Sequence, residues 1–364
     1  MANKIIDINN KKEKAKKVDV LFTGLIREVD VFKRTLNDLM ILRKRGLVDK
    51  IYLSTWKGEF QKHPDLDIFF RKNKIVLIES DEPKEGGWGN VWCQMKSLDE
   101  GLKRVNKKKF ILKTRTDVYI RPEFLEKMFS NYSTLLKITK PLPNENIFKY
   151  KVWTIWFELT RPFFMSDECF FGHHDDLEKL YNYETKYDTE YKIGPGITHI
   201  RRFIHPFIQK YPILSYSLAK SSKESYFREK INNFSEKVFN LKKIKLLRKM
   251  YEFNRFRILR KRLKNDNYID CLAAYYAILY SHFYIDSVSF PNQVIFRECA
   301  TPSVEMDSEN IDNNFSKDKS RLPYGGQIYV YDTKLLDNIN NKKLEETAFS
   351  RRLMLAIDKF NNKN

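Results

Sequence analysis

A chain of 364 residues with 42% hydrophobic and 14% aromatic side chains can bury one large core or two ordinary ones, and is too apolar to be disordered. Its formal net charge of +20 calls for an anionic partner, whether nucleic acid, an acidic membrane surface, a nucleotide diphosphate or an anionic polysaccharide. The four cysteines (Cys93, Cys169, Cys271 and Cys299) are far apart and form no C-x-x-C pair, which argues against a zinc site or disulfide framework and for thiols in a reducing cytoplasm. Residues 1–17 are polar and Lys-rich without an apolar core, so they read as a flexible basic leader rather than a signal peptide. No apolar run approaches the roughly 18 residues that a membrane-crossing helix needs.

In chain order, Val18 to Gly24 reads as a buried strand that breaks at its glycine. A helix is predicted from Glu28 to Arg45, with Val31, Leu36, Leu39, Met40 and Leu42 at near-helical spacing. Lys50 to Trp56 is a second strand and Ile75 to Glu79 a third. The turn Gly86-Gly87-Trp88-Gly89-Asn90 opens a helix to about Val105, and Phe110 to Ile120 is the fourth strand. Strands alternating with helices predict an α/β fold with a Rossmann-like, mostly parallel sheet. The first strand-to-helix turn has one glycine and so is not a G-x-G-x-x-G dinucleotide site.

Short helices follow at Glu123–Asn131 and Asp175–Tyr183, on either side of a Trp/Phe-rich segment from Val152 to Phe164. Between Ala219 and Lys264 there are 16 Lys/Arg against 4 Glu, or +12 of the net charge, with Leu241, Ile244, Leu247 and Tyr251 at helical steps. That region reads as helical with a basic outer face, either solvated, bound to an anionic membrane leaflet, or bound to a polyanion. A buried helix is expected from Tyr268 to Phe283, strands at Val288–Arg297 and Gly326–Tyr331, and loop from Val304 to Arg321. The expected organisation is a leader (1–17), a nucleotide-sugar-binding core (18–215) and a mainly helical C-terminal region (216–364) packed on it.

The stretch that organises the chain is Lys113-Thr114-Arg115-Thr116-Asp117, a charged tip on an apolar strand. Strand alternation would place Lys113, Arg115 and Asp117 on one face, at the carboxyl end where open α/β sheets bind ligands. The tip resembles half of the Asp-x-Asp motif of nucleotide-sugar glycosyltransferases, with Arg115 in the first acidic position. Three further segments add to the resemblance: Leu53-Ser54-Thr55-Trp56-Lys57-Gly58-Glu59, Asn90-x-x-x-Gln94 continuing to Gly101-Leu102, and Ser166-Asp167-x-x-Phe170-Phe171-Gly172 followed by Asp176-Leu177. Together, over roughly residues 18–185, the four resemble the WavE-type lipopolysaccharide-synthesis family of bacterial GT-A-like glycosyltransferases.

The resemblance implies transfer of a sugar from a nucleotide-sugar donor to a surface glycan such as lipopolysaccharide or capsule, by an inverting displacement on the cytoplasmic side of the membrane. It makes Asp117 a ligand for Mn²⁺ or Mg²⁺, with a late histidine (His199, or His205 in competition) completing the metal shell. Asp167 is the implied general base, with Glu168 and Asp176 as substitutes. Lys113 and Arg115 either contact phosphate or compensate the Asp117 charge, the latter leaving metal independence open. Arg201 and Arg202 form an anion clamp, and Arg27, Thr23 and Gly24 meet the nucleotide at the end of the first strand. Asn90 either caps its helix or binds nucleotide with Gln94, and Trp56 and Trp88 either stack on a ring or belong to the core. Two other classes stay in view: a non-catalytic scaffold for glycan assembly, kept alive by the half-motif, and a nucleic-acid-binding protein, which the chain supports only by charge because it lacks zinc spacing, an RNP-like strand and a helix-turn-helix cue.

Overall fold

The computed structural model describes residues 17–84, 91–139, 146–154, 162–163, 165, 167–181, 203–216, 265–284 and 294–296. Strand β1 (Val18–Thr23) is buried along its whole length. Its alternation sends Val20 and Phe22 into one core and Leu21 into another, so both faces of the sheet are covered. Helix α1 (Val29–Lys44) buries a stripe of Val31, Phe32, Leu36, Leu39 and Leu42, and the chain turns out of it at Gly46, where φ is +81°.

After β2 (Val48–Trp56) comes a helix that periodicity does not predict, α2 (Pro64–Asn73). Pro64 pre-sets the first turn, Asp65 and Asp67 suit the positive helix end, and only Leu66 and Phe70 are buried, too thin a stripe to read in sequence. Strand β3 (Val76–Ser80), helix α3 (Val91–Leu102) and strand β4 (Phe110–Thr114) follow. A Cβ at Gly101 would lie 2.7 Å from Leu21 Cδ1, so the glycine lets α3 press directly onto β1.

The fourth predicted strand is broken. Residues 115–117 form a turn, and the chain resumes as β5 (Val118–Ile120), which pairs antiparallel with β9 (Val294–Phe296) in a small second sheet. The alternation argument for Lys113, Arg115 and Asp117 therefore fails at Arg115, where the backbone leaves the extended conformation. Helix α4 (Pro122–Leu135), strands β6 (Val152–Thr154) and β7 (Phe170–His173), and helix α5 (His174–Tyr181) come next. The last described elements are α6 (residues 203–208), the buried α7 (Asp266–His282) and β8 (Phe283–Tyr284). The Asn265 side chain caps α7 by accepting from the Tyr268 N–H at 3.2 Å.

The main sheet runs β3-β2-β1-β4-β7-β6-β8. It is mixed but mostly parallel, with β7 running against both β4 and β6. Buried residues of α1, α2 and α4 share a core on one face, and those of α3, α5, α6 and α7 share the core on the other. This is an α/β fold with helices flanking the sheet. Chain order winds from β1 out to β3 and then jumps back across β1 to β4, so the switch point, where open α/β sheets carry their ligand crevice, lies at the carboxyl ends of β1 and β4. Residues beyond 265 complete these same layers, since α7 shares a core with Leu177 and Phe203, and β8 pairs with β6. No helix among the described residues is long and apolar enough to cross a membrane. The basic region 219–264, the 304–321 loop and the strand expected at 326–331 lie outside the described residues.

Candidate functional site

At the end of β1, Gly24 takes φ +96°, a conformation that L side chains rarely adopt. Its N–H is shared by the Ser54 carbonyl at 3.0 Å and Ser97 Oγ at 2.9 Å. Ser97 Oγ donates to the Ser54 carbonyl at 2.7 Å, and Ser54 Oγ donates to the Ser97 carbonyl at 2.6 Å. This reciprocal pair pins α3 to the ends of β1 and β2. Gly24→Ala has open space for its methyl, so strain alone acts. Thermal unfolding is expected to show a loss of about 1–3 kcal/mol.

Thr23 is buried and donates through Oγ1 to the Thr114 carbonyl at 3.4 Å, tying β1 to β4. The loop after Gly24 is held from two sides. The buried Glu59 carboxylate accepts from the Ile26 N–H at 3.0 Å and from Lys62 Nζ at 2.7 Å. Thr116 Oγ1 donates to the Leu25 carbonyl at 2.8 Å and accepts from the Arg27 N–H at 2.9 Å. The segment from Leu53 to Glu59 thus acts as a brace for the crevice loop. Of the two expectations for Trp56, ring stacking or core, its 4% exposure fits the core, because β2 carries it inside the protein.

The turn after β4 decides the electrostatics. Arg115 donates from Nε to Asp117 Oδ1 at 2.8 Å and from a terminal nitrogen to Oδ2 at 2.5 Å, a two-pronged ion pair. The Asp117 side chain is 2% exposed, and Arg27 approaches its Oδ2 at 3.8 Å. Burial opposes the Arg115 charge, but the bonded Asp117 and the nearby Glu168 and Asp167 carboxylates outweigh it and raise its pKa. Arg115 and Arg27 keep partial exposure, at 28% and 40%.

Asp167 and Glu168 reach this turn because β7 runs antiparallel to β4, with Lys113 opposite Phe170. Lys113 Nζ donates to the Asp167 carbonyl and, at 3.2 Å, to that of Glu168. With 2% exposure and its Nζ 5.9 Å from the centre of the Tyr181 ring, Lys113 anchors this segment. Both acidic side chains are half-buried. Next to them, burial pushes the Cys169 thiol up to about 12, which removes it as a nucleophile. Phe163, on the approach to Asp167, is fully buried at φ +60°, so packing holds this segment in a strained backbone.

Asp176, the substitute base, is elsewhere. The end of β7 lies beside the start of β4, with His173 opposite Phe110, so α5 begins at the far end of the sheet from the crevice. There the fully buried Asp176 accepts from the Lys149 and Tyr150 N–H groups at 2.9 and 3.0 Å. Gln94 lies one turn before Ser97 on α3, toward the crevice, and its buried Oε1 has no hydrogen-bond partner among the described residues. His205 is half-buried on α6. Trp88, Asn90, His199, Arg201 and Arg202 lie outside the described residues.

A divalent cation does not fit these residues at Asp117. Both carboxylate oxygens are occupied by Arg115, and a guanidinium stands where a metal would need an open ligand. Among the described residues, the one His/Cys/Asp/Glu group close enough to share an ion is His174, Asp175 and Glu178, at the opposite end of the sheet. The crevice instead offers two partly exposed guanidinium groups beside two carboxylates, a set suited to an anion and a transferable proton. Ser97, Thr116 and Glu59 were not singled out in the sequence, since only the fold makes them neighbours of Gly24, Arg27 and Ile26. No family model and no curated protein sequence matches this chain.

Proposed function

We propose that this chain is a glycosyltransferase that moves a sugar from a nucleotide-sugar donor to a growing bacterial surface glycan, on a GT-A-like sheet. The observation that carries the reading is the gathering of Arg27, Arg115, Asp167 and Glu168 around the β1/β4 crevice. The mostly parallel sheet with a reversed β7 is compatible with it.

In this reading Arg27 and Arg115 take up the charge that develops on the leaving diphosphate. Asp167 or Glu168 accepts the proton of the acceptor hydroxyl as its oxygen attacks the anomeric carbon and the bond to diphosphate breaks. One displacement of this kind inverts the anomeric centre. A donor whose departure needs no metal, such as a CMP-linked acid sugar, suits this charge set better than one that depends on Mn²⁺. The basic segment 219–264 would rest on the anionic inner leaflet, where lipid-linked acceptors are found. A second reading, a non-catalytic scaffold in glycan assembly, is favoured by one observation: the closed Arg115–Asp117 pair.

A thermal-shift panel of UDP, GDP, CMP and their common sugars, with and without Mn²⁺, tests the proposal. One nucleotide at about 100 times its Kd should add about 2.7 kcal/mol, or a few degrees in Tm, without needing Mn²⁺. Arg27→Ala should remove the shift. Asp167→Asn or Glu168→Gln should keep it while turnover falls about 10²- to 10⁴-fold. Nucleotide binding with no turnover of any donor supports the scaffold. No shift from any nucleotide, but one from an oligonucleotide, sinks both readings.

A further inference from the structure

We propose that His174, Asp175 and Glu178 form a divalent-cation site at the start of α5, at the opposite end of the sheet from the crevice. One ligand atom from each of the three lies within 4.8 Å of the others. The observation that points to an ion is His174. Its side chain is 1% exposed, and its Nε2 lies 3.0 Å from the Leu102 carbonyl. A carbonyl only accepts, so Nε2–H donates to it and Nδ1 is the ring nitrogen turned to the carboxylate. Among the described residues that buried Nδ1 has no hydrogen-bond partner, and Asp175 Oδ1 faces it at 3.7 Å. The arrangement calls for a positive centre between nitrogen and oxygen, either a metal ion or a proton on Nδ1.

The surroundings are those of a metal-binding imidazole. A histidine that binds a metal usually donates its other ring N–H to a backbone carbonyl or carboxylate, which fixes tautomer and orientation. Here Leu102 at the end of α3 does this, and the His174 N–H donates to the Lys109 carbonyl at 3.0 Å, fixing the main chain as well. Lys149 Nζ binds Asp175 Oδ2 at 2.7 Å and leaves Oδ1 turned inward. Glu178 follows His174 by one helical turn, so both point to the same side of α5. It is exposed and has the rotamers to close on an ion. One imidazole nitrogen with two carboxylate oxygens selects a borderline dication such as Zn²⁺ and leaves a fourth position for water. The ion would lock α5 to α3 across the sheet end.

Isothermal titration of Zn²⁺ into the untagged, chelator-stripped full-length chain is the test. One site is expected, weakened about tenfold or more by Glu178→Gln and by Asp175→Asn. Cys93→Ser, which removes the half-buried thiol on α3, should leave binding unchanged. Glu178 lies on the surface, so its variant keeps the fold and isolates the ligand effect. Equal affinity in wild type and Glu178→Gln, or no binding at millimolar Zn²⁺, overturns the proposal and leaves a plain histidine–carboxylate contact.

Discussion

Arg115→Ala is expected to destabilise the protein by about 3–5 kcal/mol, and Asp117→Ala by markedly less. The asymmetry follows from burial. Asp117 is 2% exposed, so without Arg115 it stays inside with Arg27, at 3.8 Å, as the one other cation near it among the described residues. Arg115 is 28% exposed and can turn its guanidinium toward water when Asp117 is gone. Urea unfolding of both variants measures the difference. A double change to well-packed apolar residues, Arg115→Met with Asp117→Leu, should recover most of the loss, because it removes both desolvated charges together. If Asp117→Ala were the worse variant, the pair would not be the closed unit that its geometry describes. If Mn²⁺ stabilised wild type and not Asp117→Ala, the carboxylate would belong to a metal after all.

Asp176→Ala is the second large effect, expected at about 2–5 kcal/mol, since it strips the acceptor from two backbone N–H groups, those of Lys149 and Tyr150. The same carboxylate should give the protein an acid-side signature. Burial raises its pKa to about 6 from 3.8, against the lowering effect of those two bonds. The folded state therefore holds a proton that the unfolded chain has released, so this group's contribution is complete below about pH 4 and is lost as pH rises through about 6. Two units correspond to about 3 kcal/mol. Between pH 4 and pH 7, wild type should lose about that much stability relative to Asp176→Asn, read from urea midpoints at each pH. A flat difference would mean that the carboxylate ionises inside the fold without penalty.

How much of this was legible in advance depends on the range of the forces involved. Val18–Thr23, Ile51–Trp56 and Phe110–Thr114 announce themselves as strands, because a strand covered on both faces must be apolar on both. The long apolar α7 announces itself as a buried helix for the same reason. The resemblance makes Asp167 the general base with Glu168 as a substitute, and β7 brings both beside the 115–117 turn by running against β4. The other substitute, Asp176, is carried by that four-residue strand to the other end of the sheet.

The alternation of elements, the α/β class and the charged tip at the end of the fourth strand are properties of runs of neighbouring residues, so they can be read without a fold. What each charge does depends on contacts between segments far apart in the chain. That Arg115 grips Asp117 while keeping part of its guanidinium exposed depends on a turn that breaks the strand there. Whether Trp56 stacks or packs depends on how deep β2 carries it, and whether Lys113 meets phosphate or backbone depends on where β7 begins. A buried charge must find an opposite charge or a hydrogen-bonding group within a few ångströms, and the chain supplies that partner from wherever the fold brings one near. Sequence spacing cannot name it.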